Sequence, residues 1–164
     1  MDAALATLAT LAGARLKARG LKLAAAESCT GGWIAMAITA VAGSSQWFER
    51  GFVTYSNEAK HEMLGVAQAT LDAQGAVSEA SAREMAQGAV AHSRAQIAVA
   101  VTGIAGPGGG SAAKPVGTVC FAWAGPDTRL RSETRLFQGS REQVRRQTVI
   151  AALQGIIEAL EENR

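Results

Sequence analysis

Apolar positions along this chain follow two rhythms that take turns. Leu5, Leu8, Leu11 (or Ala12) and Leu16 recur every three or four residues, which predicts a surface helix ending near Gly20. The unbroken run Leu23-Ala24-Ala25-Ala26 predicts a short buried strand, and Trp33-Ile34-Ala35-Met36-Ala37-Ile38 restarts as a helix after a turn. A second strand is expected over residues 51–55, then a short helix over 57–64 with Gly65 just past its end. Residues 69–74 suggest one more helical turn. Ser78 caps a longer helix to about residue 93, with Ala82, Met85, Ala86 and Ala89 on its inner face. Residues 96–101 form the clearest buried strand. Residues 118–123 and 129–137 read as two strands joined by the turn Gly125-Pro126-Asp127, a hairpin. Ser140 opens the last helix, where Ile150, Leu153, Ile157 and Leu160 make an apolar stripe. Helix–strand alternation followed by a hairpin predicts an α/β sandwich around a mixed sheet. No repeat or linker divides the chain, so residues 1–164 are expected to form a single domain.

Composition narrows the function classes. A chain of 164 residues with 48% hydrophobic and 18% charged residues can bury a core without disulfides or metal. A formal net charge of +2 does not argue for nucleic acid as a partner. Cys29 and Cys120 form no CxxC pair and read as free thiols of a reducing cytoplasm. Every apolar run stops short of the roughly 18 residues a membrane span needs. Asp2 stands where a signal peptide would carry basic residues, so a cytoplasmic protein is expected.

Several chemistries are excluded. His61-Glu62-Met63-Leu64-Gly65 lacks the second histidine of a zinc-protease helix, and His61 and His92 are the only histidines. The glycine-rich stretch after the third strand, with five glycines in residues 103–110, is neither a Walker loop nor a dinucleotide fingerprint. Ser28 is not in a G-x-S-x-G elbow, because Ala26 and Thr30 fill the glycine positions.

Four stretches carry candidate chemistry. In Glu27-Ser28-Cys29-Thr30-Gly31-Gly32 a strand ends in a hydroxyl-rich, glycine-rich turn that opens a helix. Unpaired N–H groups there favour an anion or a developing oxyanion, so Ser28 is either a nucleophile or a helix cap. The glycine stretch, including Gly103 and Gly106, is either a surface loop or a ligand cradle at a strand end, with Lys114 just beyond. Arg141 and Arg145 lie four residues apart at the start of the last helix, beside Arg146, where cations oppose the helix dipole. They form either an anion site or a solvated basic face. In Tyr55-Ser56-Asn57-Glu58-Ala59-Lys60, a desolvated Lys60 could serve as base where histidines are scarce, with Ser56 a rival nucleophile; otherwise Lys60 is a surface lysine.

Together with Gly75-Ala76-Val77-Ser78, Thr102-Gly103-Ile104-Ala105-Gly106-Pro107-Gly108-Gly109, Lys114-Pro115-Val116-Gly117-Thr118-Val119 and Phe137-x-Gly139-x-Arg141-x-x-Val144-Arg145, these stretches occur in an order that resembles the CinA C-terminal family of nicotinamide-nucleotide amidohydrolases. The resemblance runs from about Leu5 to Leu160. It implies a three-layer α/β/α sandwich, usually a homodimer. The implied reaction is hydrolysis of the carboxamide of nicotinamide mononucleotide to nicotinate mononucleotide and ammonia, with no metal or organic cofactor. Some relatives carry an additional N-terminal domain, so this chain resembles the stand-alone form. Ser111 stands where many relatives have threonine. On this resemblance Ser28 is the nucleophile, Lys60 its base and Tyr55 a proton relay or a platform for the pyridinium ring. Thr30, Gly31 and Gly32 would hold the oxyanion, and Thr102 and Gly103 would line the ring and ribose. Arg141 and Arg145, with the Gly106 loop, would grip the phosphate. Two other classes fit the same residues: a Ser–Lys amidase for another small amide, and a non-catalytic nucleotide-binding module.

Overall fold

The computed structural model of the chain describes residues 2–161. Six helices and five strands follow one another as α1 (Ala3–Ala18), β1 (Leu23–Glu27), α2 (Trp33–Thr39), β2 (Phe48–Val53), α3 (Asn57–Leu64), α4 (Gln68–Gln74), α5 (Glu79–Ala91), β3 (Ile97–Gly103), β4 (Thr118–Ala124), β5 (Leu130–Leu136) and α6 (Arg141–Glu161). The strands form one sheet in the order β2-β1-β3-β4-β5. Its first three strands are parallel and the hairpin β4–β5 continues it antiparallel, giving the expected mixed sheet.

Strand alternation divides the core in two. Leu23, Ala25, Ile97, Val99, Val101, Val119, Phe121 and Trp123 pack on one face with apolar residues of α1, α2 and α6. Ala24, Ala26, Ala98, Ala100, Cys120, Ala122 and Ala124 pack on the other with α3, α4 and α5. The expected three-layer α/β/α sandwich is therefore met. The second face carries almost only small side chains, which lets its helices come close. At Gly88 of α5, a Cβ would lie 1.9 Å from the Leu64 carbonyl oxygen at the end of α3, so no side chain fits between them.

The expected Ser78 cap and Gly65 helix end are met, and Ser56, read in sequence only as a rival nucleophile, also caps a helix. Ser56 Oγ accepts from Ala59 N at 3.0 Å, and Ser78 Oγ accepts from Ser81 N at 3.1 Å. Gly65 closes α3 with φ +71°. The second strand is displaced from its expected span, 51–55: it runs Phe48–Val53. As an edge strand it has only one buried residue, Phe52, and carries the polar pair Glu49 and Arg50, so it lacks a buried-strand signature. Thr54 and Tyr55 lie past the end of the strand, and their carbonyls accept from Lys60 Nζ.

Candidate active site

Val53, Glu27 and Val101 are register partners on the three parallel strands, so Thr54, Ser28 and Thr102 emerge abreast at the carboxyl edge of the sheet. Ligands of open α/β sheets gather outside such edges. A cleft of about 190 Å³ lies there, lined by Ser28, Cys29, Tyr55, Asn57, Lys60, Ala76, Val77, Thr102, Gly103, Ala105 and Arg141.

At its base the Lys60 Nζ is 2.9 Å from Ser28 Oγ, 2.9 Å from the Thr54 carbonyl and 3.2 Å from the Tyr55 carbonyl. Only 1% of Lys60 is exposed. Burial holds its amine below the usual lysine range. The nearby Cys29 thiol opposes that shift little, because burial pushes it up to about 12 and keeps it neutral. Cys29 is thus poorly suited to act as a thiolate nucleophile. Ser56, the rival serine, spends its hydroxyl oxygen on capping α3. His61 Nδ1 is held by the Val66 carbonyl at 2.8 Å.

The turn after β1 is built around Glu27, which is fully buried. Its Oε1 accepts from Thr30 Oγ1 at 2.6 Å, Gly32 N at 3.2 Å and Ile34 N at 2.8 Å, and its Oε2 accepts from Ala35 N at 3.0 Å. The negative charge that the start of α2 favours is therefore the chain's own. This corrects the expectation that Gly31 and Gly32 donate to an oxyanion. Gly32 N–H belongs to Glu27, and Gly31 N–H donates to the Ser28 carbonyl at 3.0 Å. Gly31 and Gly32 instead supply positive φ angles, +58° and +104°, that fold the turn. Thr30 faces Glu27 through its hydroxyl, so only the N–H groups of Cys29 and Thr30 take no part in the turn's bonding among the described residues.

The arginines part company. Arg141 lines the cleft, with Nη1 donating to the Gly106 carbonyl at 2.8 Å and Nη2 lying 3.4 Å from the Tyr55 hydroxyl. Arg145 does not line it. Its Nε and Nη2 donate to the carbonyls of Cys29 and Thr30, each at 3.1 Å, and its guanidinium lies 5.4 Å over the Trp33 ring. Arg146 bonds Asp2 at the start of α1. The expected pair of aligned guanidiniums is absent, and each cation at this helix start answers an acceptor elsewhere in the fold.

Tyr55 is 64% exposed, with its ring at the mouth and only its carbonyl at Lys60. Thr102 Oγ1 donates to the Ala76 carbonyl at 2.9 Å. A Cβ on Gly103 would stand 2.7 Å from Val119 Cγ2 and 3.2 Å from Cys29 Sγ, so only glycine fits between β4 and the Ser28 turn. Lys114 Nζ donates to the Gln74 carbonyl at 2.7 Å, tethering the glycine loop to the end of α4. Sequence reasoning missed the capping role of Glu27 and the wall formed by Asn57, Ala76 and Val77. A carboxylate ending a buried strand just before a hydroxyl and two glycines was the available signal for Glu27. The described residues hold no group of three His, Cys, Asp or Glu side chains that could bind a metal, and no helix long and apolar enough to cross a membrane.

The family model of the CinA C-terminal domain matches residues 5–160. The chain belongs to this family. It is similar to the nicotinamide-nucleotide amidohydrolase PncC of Enterobacter agglomerans, 58% identical over 142 residues that make up 87% of each protein. It is also similar to the protein of that name from Escherichia coli K12, 55% identical over 153 residues, 93% of each. Among solved structures, competence/damage inducible protein CihA from Agrobacterium tumefaciens superposes with a TM-score of 0.94 at 47% identity, covering 97% of both chains.

Proposed function

We propose that this chain is a nicotinamide-nucleotide amidohydrolase that converts nicotinamide mononucleotide and water into nicotinate mononucleotide and ammonia. The observation that carries the reading is the buried Lys60–Ser28 contact inside a cleft at the sheet's carboxyl edge, in a family whose relatives at 55–58% identity bear that name. A neutral lysine has two N–H bonds and one lone pair. The Thr54 and Tyr55 carbonyls can accept only N–H donors, so they leave the lone pair for the Ser28 hydroxyl proton.

Ser28 Oγ attacks the carboxamide carbon as its proton passes to Lys60 Nζ. The N–H groups of Cys29 and Thr30 meet the developing oxyanion. The C–N bond then breaks, Lys60 returns the proton to the leaving nitrogen, and ammonia departs. A water molecule, deprotonated by Lys60, attacks the acyl-serine. The Ser28–acyl bond breaks, Ser28 Oγ recovers its proton from Lys60, and the acid product gives its remaining proton to solvent and leaves as the carboxylate. Thr102 and Gly103 line the ring and ribose, Tyr55 packs at the mouth, and Arg141 meets the 5′-phosphate beside the Gly106 loop. The family resemblance extends the proposal to a cytoplasmic homodimer that needs no metal or organic cofactor.

The test is ammonia release from purified protein offered nicotinamide mononucleotide, nicotinamide riboside and NAD in parallel. Preference for the mononucleotide supports the reading, and Ser28→Ala should abolish turnover while staying folded. Equal rates on mononucleotide and riboside would point to a general small-amide amidase. No release from any of them would point to a binding module.

A further inference from the structure

We propose that Arg145 is a positioning residue for the Ser28 turn and not a phosphate ligand: it orients the peptide groups that receive the oxyanion. The inference rests on the amidase reading above. Arg145 reaches from α6, in the layer packed on one face of the sheet, while Lys60 reaches the same turn from α3 in the opposite layer. Its Nε and Nη2 hold two successive carbonyls, Cys29 and Thr30. In a planar trans peptide the C=O and the following N–H point in opposite directions. Turning the Cys29 carbonyl toward Arg145 therefore turns the Thr30 N–H away from α6. The Ser28 carbonyl is in turn engaged by Gly31 N–H, which sets the direction of the Cys29 N–H in the same way.

The turn is thus gripped by charge at both kinds of backbone group. Glu27 collects its donors through the Thr30 hydroxyl, Gly32 N and Ile34 N, and Arg145 collects its acceptors. A guanidinium on the carbonyl side of the Cys29–Thr30 peptide also polarises it, making Thr30 N–H a stronger donor. The Trp33 ring, 5.4 Å from the guanidinium carbon, adds a cation–π contact that favours this placement of Arg145. A phosphate bound by the same two nitrogens would have to take the Cys29 carbonyl's donor and leave the Thr30 carbonyl with Trp33 N–H alone, which is costly for buried groups. Cations at the start of α6 looked misplaced in sequence because their acceptors lie in another element.

The experiment compares Arg145→Ala, Arg145→Lys and Arg145→Gln with the unmodified chain in two assays. The first is steady-state hydrolysis of the mononucleotide and the riboside. The second needs no nucleotide: the rate at which a small aryl sulfonyl fluoride modifies Ser28, read by intact mass. A positioning role predicts that kcat falls about 100-fold on both substrates in Arg145→Ala, as for a misaligned reacting group, with KM nearly unchanged. Ser28 labelling should slow by about tenfold or more, as loss of oxyanion alignment requires. Arg145→Lys should recover little, because one ammonium cannot fork to two carbonyls. Should Arg145→Ala fail to fold, Arg145→Gln, with an amide donor for one carbonyl, carries the same comparison. A raised KM for the mononucleotide alone, with normal kcat and normal labelling, would overturn the inference and return Arg145 to the phosphate. If the unmodified chain labels at Ser28 yet releases no ammonia, the amidase reading fails while the labelling rates still decide Arg145. If it does not label at Ser28, both fail.

Discussion

Replacing Lys60 tests the chemistry most directly. A lysine titrating near 10.4 is only about 0.1% neutral at pH 7.4, and every unit by which burial lowers it raises that fraction about tenfold. Lys60 is 1% exposed and its shift is downward, with burial the leading cause. The kcat profile should therefore climb with pH through an apparent pKa clearly below about 10.4 and level off above it. Lys60→Met keeps the length of the stem without the nitrogen, and Lys60→Arg keeps the charge on a group that cannot deprotonate. Both should lose about 10²–10⁴ in kcat, the worth of a general base, or about 3–5 kcal/mol at 1.36 kcal/mol per decade. Stability gives a second reading of the same titration. Between the lowered folded pKa and the unfolded value near 10.4, the folded chain binds fewer protons than the unfolded one, so stability rises with pH across that window. The slope approaches about 1.4 kcal/mol per pH unit, and it should vanish in Lys60→Met. Ammonia release from pH 6 to 10, paired with urea melts over the same range, measures both. An arginine variant within tenfold of the unmodified chain, or an apparent pKa at or above that of free lysine, would remove Lys60 as the base.

Three further outcomes are expected. Cys29→Ala should keep most activity, because its thiol, pushed up to about 12, stays protonated at neutral pH; a fatal effect in the ammonia assay would reopen the question of the nucleophile. Arg141→Ala should raise KM for the mononucleotide by the value of a charge-assisted contact, about 1.5–3 kcal/mol, and leave the riboside nearly unaffected; equal losses would deny it the phosphate. Gly88→Ala drives a methyl to within 1.9 Å of the Leu64 carbonyl oxygen and should cost about 1–3 kcal/mol or more, seen as a fall of several degrees in Tm; an unchanged Tm would mean α5 can slide on the alanine face without penalty.

What was legible in the sequence was whatever a neighbour in the sequence decides. Ser78 bonds an N–H group three residues on, and Gly65 needs only its own backbone. The end of α3 and the cap of α5 were therefore readable, as was β3, which is buried without a break from Ile97 to Thr102. β2 was misplaced because an edge strand has no two-sided burial to write into its sequence. Arg145 was misread and Glu27 missed for a different reason. The partners of Arg145 lie 115 and 116 residues away, and those of Glu27 sit across a turn on the next helix, so no local period reports them.

These two residues also explain why local rules break in this region. A helix start would ordinarily leave N–H groups for a ligand, and a stability-driven last helix would begin with acids. Here the first is closed by Glu27, and the second carries Arg141, Arg145 and Arg146 because their acceptors are the Gly106 carbonyl, the Ser28 turn and Asp2. Ser28 leaves β1 between β2 and β3, so any group that acts on it must come from a helix layer. The small residues Ala24 and Ala26 keep the α3 layer close enough for Lys60 to reach Ser28, while the layer of α1, α2 and α6 brings Arg145 against the carbonyls behind it. Placing a buried amine on one side and a guanidinium on the other separates two jobs that a single cation cannot do. The amine must be able to lose its charge to take a proton, and the guanidinium must never lose its charge if it is to hold the backbone still.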